Sequence, residues 1–329
     1  MNRFLRFPGA GAALVLCACA GEQSALSPGS PQAERIVTLF WVLTAGSGAI
    51  LTGVVVLAAI AIFGPERWRG ALKEERFAVG AGIIFPIVTL SLLLAYGTWV
   101  LRAGAPTASG EEPLHIGITG EQWWWRVEYR DGEDVLFETA NELRIPAGRP
   151  VEIALTTADV IHSFWLPRLA GKLDMIPGRT NVLTLEADAP GVSRGQCAEY
   201  CGGAHAMMGF YAVAMAETEF EAWLDKEASD ARAPATPEEQ YGQELFNSYG
   251  CGACHAVRGT AANGTIAPDL THVGGRVSLA AGTMPNDEAA FMRWIAENQH
   301  IKPGNAMPPF GFIEEDELAS IARYLASLR

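Results

Sequence analysis

The chain has 329 residues, 49% of them hydrophobic, and a formal net charge of −13. This length accommodates about two globular domains plus membrane segments, and the acidic balance disfavours a polyanionic partner, so no nucleic acid is expected to bind. Residues 1–102 hold 8 basic and 5 acidic side chains, residues 103–237 hold 10 and 21, and residues 238–329 hold 6 and 11. A basic, apolar front is thus set apart from two acidic, water-facing parts.

Met1 to Arg6 followed by an apolar run to Ala20 has the charged start and short hydrophobic middle of an export signal over residues 1–20. Leu16-Cys-Ala-Cys19 is similar to a bacterial lipoprotein box, with Cys19 as the residue to be acylated; an uncleaved signal anchor is the alternative. Ile36 to Phe63 and Phe77 to Leu101 are charge-free apolar runs, each long enough to cross a bilayer as a helix. Residues 36–101 therefore read as a transmembrane hairpin. Its connecting loop carries Arg67, Arg69, Lys73 and Arg76, which puts the loop on the cytoplasmic side and both ends outside. Pro86 falls inside the second run, where a membrane helix tolerates it.

Residues 103–113 form an Ala/Gly/Pro/Ser-rich linker. Beyond it, short apolar runs at Leu114–Thr119, Val127–Tyr129, Val151–Thr156, Val182–Leu185 and Phe210–Met215 alternate with turn signals such as Asp131-Gly132 and Pro177-Gly178. Many short strands in so few residues predict a Greek-key sandwich or barrel over about 104–227. In a strand, Trp123 and Trp125 would share one face and Trp124 the other.

Gln196-Cys-Ala-Glu-Tyr-Cys-Gly-Gly-Ala-His-Ala-Met-Met208 crowds Cys197, Cys201, His205 and Met208 into one loop. Thiolate, imidazole and thioether suit copper better than hard cations, and two bridging thiolates can hold two ions. His162 in Asp159-Val-Ile-His-Ser-Phe-Trp165 supplies a second imidazole. A plain Cys197–Cys201 disulfide would explain neither His205 nor Met208. A copper-delivery protein of the thioredoxin-like type also carries C-x3-C, but with Pro where this chain has Gly202.

Ala228 to Pro237 is an Ala/Pro linker, and Thr236, Pro237 and Glu239 give the N-cap, N1 and N3 signals of a new helix. Residues 238–329 then form a separate domain. Cys251-Gly-Ala-Cys-His255 is the C-x-x-C-H signature of covalent c-type haem, with His255 as the proximal ligand. A thioredoxin-like redox motif would need a strand before the first cysteine, where the pattern is helical. Met307 is the candidate distal ligand, ahead of Met284 and Met292; His272 and His300 fit no ligand place and read as surface or supporting residues. The final helix, Glu314 to Leu328, stripes Leu318, Ile321, Leu325 and Leu328 along one face.

On the pattern H…C-x3-C-x3-H-x2-M, the chain resembles subunit II of the haem–copper oxidases, of the caa3 type with a class I cytochrome c fused at its end. The resemblance implies a multidomain protein: a membrane hairpin, an all-β cupredoxin-like Greek-key domain and an all-α cytochrome c domain. It implies a dinuclear copper centre (CuA) held by His162, Cys197, Cys201, His205, Met208 and the carbonyl of Glu199, with the Glu199 side chain helping to hold magnesium or manganese at the boundary with subunit I. Trp123 matches the family's tryptophan through which electrons arrive. The family's helix glutamate falls on Val79 here, with Glu75 one turn earlier. The implied function is to accept electrons from an external cytochrome c or other respiratory donor and relay them to subunit I, which reduces oxygen to water coupled to proton translocation. Subunits I and III and the bacterial plasma membrane are the implied partners, with the copper and haem domains on the outer face. A membrane-anchored electron-transfer or copper-delivery protein outside any oxidase is the alternative. Because both soluble domains are acidic, the ten-residue linker is expected to act as a tether that substitutes for electrostatic steering.

Overall fold

The computed structural model describes residues 20–103 and 114–329. Cys17, Cys19 and the stretch 104–113 lie outside the described residues. The chain divides into two compact units, Gln32–Ala108 and Met1–Pro31 with Ser109–Arg329.

The smaller unit is helical. Its helices are α1 (Pro31–Phe63), α2 (Glu66–Leu72), α3 (Glu75–Val79) and α4 (Phe85–Ala103), with a π-turn over Gly80–Ile84 between the last two. The π-turn sits just before Pro86, which lacks an N–H and whose ring crowds the carbonyl four residues earlier; a widened turn relieves both. Two stretches, Pro31–Phe63 and Glu75–Arg102, are long and apolar enough to cross a membrane. Leu51, Leu90, Leu92 and Leu94 are all exposed, an apolar surface of the kind that lipid covers.

The larger unit begins with two five-stranded sheets. The strands are β1 (Leu114–Glu121), β2 (Trp124–Asp131), β3 (Asp134–Ala140), β4 (Glu142–Pro146), β5 (Val151–Thr157), β6 (His162–Trp165), β7 (Leu173–Met175), β8 (Asn181–Leu185), β9 (Gly191–Cys197) and β10 (Gly209–Met215). One sheet runs β3-β2-β1-β5-β8 and the other β4-β10-β9-β6-β7. The pairs β1–β5 and β10–β4 are parallel and the rest antiparallel, so the chain crosses between sheets in the manner of a cupredoxin-like sandwich. Alternating buried residues of β1, β2 and β5 (Ile116, Ile118, Trp125, Val127, Ile153, Leu155) meet Phe164 and Phe210 of the facing sheet. Burying each such side chain contributes roughly 1.5–3 kcal/mol.

Trp123 departs from the strand reading. Register pairs Glu121 with Trp124, so Gln122 and Trp123 are the two-residue turn between β1 and β2, and Trp123 shares no strand face with Trp125. Trp125 is core, edge-on to Phe164 and Phe210. Residues 22–30, which follow the export-signal region, pack on the same sandwich through Arg194 N to Glu22 O, Gly29 N to Arg168 O and Asp188 N to Gly29 O.

Helix α5 (Glu217–Ala228) closes the sandwich by setting Trp223 against Tyr129 and Phe137. Three helices follow: α6 (Pro237–Ser248), α7 (Glu288–Ile301) and α8 (Glu315–Ser327), with a short β11–β12 ladder (Ser278–Leu279, Met284–Pro285) before α7. Thr236 caps α6 by accepting the Glu239 N–H, and the Glu239 carboxylate accepts the Ala235 N–H. Gly242 lets α6 lie directly on α8, since a Cβ there would stand 2.1 Å from the Ser320 carbonyl oxygen. Phe246, Phe291, Ile295, Ile321 and Leu325 form the core of this domain.

The linker is not a free tether. Ala231 N donates to Arg258 O, the Arg258 guanidinium to the carbonyls of Glu227 and Ser229, and Arg232 to Ser327 O and Glu239. His272 is 4% exposed, not a surface residue, and is bonded through Nε2 to Ser229 O at 3.1 Å. Carbonyls of Glu227 and Ser229 are taken up by the half-buried Arg258 and the buried His272, which fixes the segment against the helical domain.

Candidate metal centre and haem pocket

Strand β6 opens on His162 and β9 closes on Cys197, neighbours in one sheet. The chain then makes a loop through Cys201, a 3-10 turn over His205–Met207, and returns at Met208 into β10. This topology brings a residue from position 162 against a cluster between 197 and 208. Sγ of Cys197 lies 3.8 Å from His162 Nδ1 and 3.8 Å from Cys201 Sγ. Cys201 Sγ lies 3.5 Å from His205 Nδ1 and 3.8 Å from Met208 Sδ. The Glu199 carbonyl oxygen is 3.2 Å from Cys197 Sγ. Both cysteines are free thiols, not a disulfide, and buried.

Supporting contacts orient the donors. His162 Nε2 is bonded to Asp159 Oδ1 at 2.8 Å, which turns Nδ1 toward the sulfurs. Gly120 leaves room for that ring, because a Cβ would stand 2.8 Å from His162 Cδ2. The Asp159 carboxylate also accepts the Gln122 N–H at 2.7 Å. Gln122 Nε2 and Trp123 Nε1 in turn donate to the Cys201 carbonyl, at 2.6 and 3.0 Å. Gly202 permits this approach with φ of +113°, a conformation that side chains rarely adopt.

The hydrogen bond with Cys201 draws the Cys197 thiol down, and the same partner with burial pushes Cys201 up. Metal binding needs both sulfurs as thiolates and therefore releases protons. Burial lowers the pKa of His162, but hydrogen bonds to Cys197 and Asp159 outweigh it and raise it. Two thiol sulfurs, two imidazole nitrogens and a thioether are soft or borderline donors that fit copper, with the Glu199 carbonyl as a single hard oxygen beside them.

In the helical domain, Cys251 and Cys254 flank a 3-10 turn entered through Gly250. They line a cavity with His255, Met307, Phe246, Phe291 and Leu325. His255 Nδ1 donates to Pro268 O at 2.7 Å, which leaves Nε2 as a ligand, and burial lowers its pKa so that the imidazole is neutral. Met307 is held by its N–H to Asn305 Oδ1 and by Gln299 Nε2 to its carbonyl. Met284 packs in the domain core instead, and neither it nor Met292 is among the cavity's lining residues. Arg276 also lines the cavity, and its buried Nε has no partner among the described residues. An apolar slot with two thiols, an imidazole, a thioether and an unpaired guanidinium nitrogen fits a haem and its carboxylates.

The cavity is not made by the helical domain alone. Gln122, Trp123, Trp124 and Asn141 of the sandwich line it as well. The two domains meet through Arg126 Nη2 to Thr265 O at 3.1 Å, Arg144 Nη2 to Gly275 O at 2.9 Å, Gly209 N to Ala281 O at 3.0 Å, and Val277 N to the Glu142 carboxylate. Asp159, Arg276 and Lys302 are contributors that motif spacing did not single out. Only Asp159, three residues before His162, carried a readable signal.

A family model described as cytochrome c oxidase subunit II, periplasmic domain, matches residues 132–215, and one described as cytochrome c matches residues 239–329. The cytochrome c oxidase subunit 2 of Alkalihalophilus pseudofirmus is 34% identical over 96% of this chain and 94% of its own length. The cytochrome c oxidase subunit 2 of Bacillus subtilis is 32% identical over 75% of this chain and 70% of its own.

Proposed function

The chain belongs to the cytochrome c oxidase subunit II family, and from that premise we propose that it carries electrons from a respiratory donor through a covalent haem to a dinuclear copper centre and on to subunit I. It is an electron-transfer subunit of an oxidase, with a copper-binding sandwich followed by a cytochrome c domain. The convergence of His162, Cys197, Cys201, His205, Met208 and the Glu199 carbonyl on one buried pair of sulfurs is the observation that supports this most.

His162, Cys197, Glu199, Cys201, His205 and Met208 would hold copper, and Cys251, Cys254, His255 and Met307 would hold haem. When bound, the two groups supply reversible one-electron chemistry. This chain's own residues supply orientation and water exclusion. Asp159 fixes the His162 tautomer, the Pro268 carbonyl fixes that of His255, and the sandwich covers one wall of the haem cavity. Trp123 would lie between the two groups when they are bound, since its ring borders the haem cavity while its indole N–H bonds the Cys201 carbonyl. The Glu199 carboxylate, a hard oxygen donor, would contribute to a magnesium or manganese ion at the face shared with subunit I. Both helical spans anchor the chain in the plasma membrane, with the basic Gly64–Arg76 loop inside and the soluble domains outside. Subunit III and an external cytochrome c complete the set of partners.

A haem stain that survives denaturing electrophoresis, together with two copper ions per chain beyond the copper of subunit I, is the expected result for the purified oxidase. Met307→Leu should abolish the weak sulfur-to-iron absorption of ferric haem and lower its potential, because thioether ligation favours the ferrous state. Haem lost on denaturation, or an unaltered ferric spectrum in Met307→Leu, would overturn the ligand set. A copper-delivery protein would show no haem stain.

A further inference from the structure

Lys302 is 3% exposed and ends α7, five residues before Met307. Its backbone N–H belongs to the helical domain, bonded to Asn298 O at 2.7 Å. Its side chain crosses into the copper domain, where Nζ reaches Trp123 O at 2.6 Å and Met207 O at 2.9 Å, with Ala280 O of its own domain at 3.4 Å. Beside it, Gly304 with φ of +80° lies so close to Trp123 that a Cβ would stand 3.3 Å from the ring. One short segment, 302–307, therefore carries the candidate haem ligand at one end and grips the Trp123 turn and the copper loop at the other.

Buried carbonyls are costly when unpaired, and a buried ammonium more so. The arrangement satisfies both together: three acceptors match the three N–H donors of a protonated lysine. Burial lowers the lysine's pKa to about 7, while acceptance by three carbonyls favours the charged form, which alone has three hydrogens to give. Parting the domains would leave the Trp123 and Met207 carbonyls without this donor.

We propose that Lys302 is a positioning residue for electron transfer between the two sites: its ammonium locks the Met307 segment to the Trp123 turn and the copper loop. This rests on the copper and haem reading above. The step it positions transfers one electron from ferrous haem to the oxidised copper centre, with no bond made and no proton moved.

Two measurements on the assembled oxidase test it. In the wild type, Lys302 should resist acylation by a water-soluble amine reagent under conditions that label Lys172, whose side chain is 49% exposed. Lys302→Met keeps the length and removes the donors. It should slow haem oxidation by the copper centre roughly tenfold or more, because the Trp123 turn and the Met307 segment lose the donor that holds them together. It should also speed hydrogen exchange at amides 280–284, 302 and 304–307, with the haem and copper spectra unchanged; Lys302→Gln, which keeps an uncharged donor, should fall between. Labelling of Lys302 at the rate of Lys172 would overturn the proposal without any variant being needed. So would an unchanged internal rate in Lys302→Met, or a rate lost together with the sulfur-to-iron band, which would place the effect in ligand folding. Absence of copper or haem in the wild type would instead refute the functional reading on which the proposal rests.

Discussion

Asp159 shows how much one side chain can do outside the ligand set. It fixes His162 through one carboxylate oxygen and the Gln122 turn through the other, so the same group sets an imidazole and the position of Trp123. Partners of metal-bound histidines typically contribute 10–100-fold in metal affinity. Asp159→Asn should therefore weaken copper binding by about that range, read by competition with a chelator; undiminished affinity would show that the sandwich alone orients the ring. The ligands themselves were legible, because cysteine, histidine and methionine at fixed spacing have few other uses. Their supports were not all legible: the Cys201 carbonyl that orients Trp123 leaves no mark in a side-chain pattern. Of the two readings open for His272, surface or supporting, its bond to the Ser229 carbonyl favours the second.

Among the elements, β1, β5, β8 and β10 were readable from their apolar alternation or clustering. The short or polar β6, β7 and β9 were not, yet β6 and β9 carry His162 and Cys197. Neighbouring strands cover them, so pairing and not propensity decides their conformation. The Trp123-Trp-Trp125 run was misassigned because β-propensity says nothing of where a two-residue turn interrupts it. In the helical domain the apolar stripe of α8 was evident, but its contact with Gly242 was not. Gly242→Ala should force α6 from the Ser320 backbone and cost on the order of 1–3 kcal/mol, the usual range for overpacking. A lowered melting temperature and weaker haem retention in the assembled protein would show it, whereas wild-type stability would mean that the helices part without strain.

For the whole molecule, the sequence suggested two acidic domains joined by a loose tether, and the structure replaces that with a docked pair. Net charge gave the wrong expectation because docking is local: Arg126, Arg144 and Lys302 are cations aimed at carbonyl oxygens across the boundary, and carbonyls carry no formal charge. Contacts of a cation with a neutral carbonyl are screened little by salt, the buried Lys302 least of all, while an encounter between exposed charges is screened beyond about 8 Å at physiological ionic strength. The acidic surface should therefore draw a basic external cytochrome in a salt-dependent step, whereas passage inside the chain should not depend on salt. Flash reduction of the haem in the assembled oxidase, followed at both haem and copper bands across a salt series, tests this most directly. Haem oxidation and copper reduction should share one rate constant that is independent of protein concentration and nearly constant with salt. A haem that stays reduced until another cytochrome is added, or an internal rate that falls steeply as salt rises, would contradict a pre-docked relay within one chain.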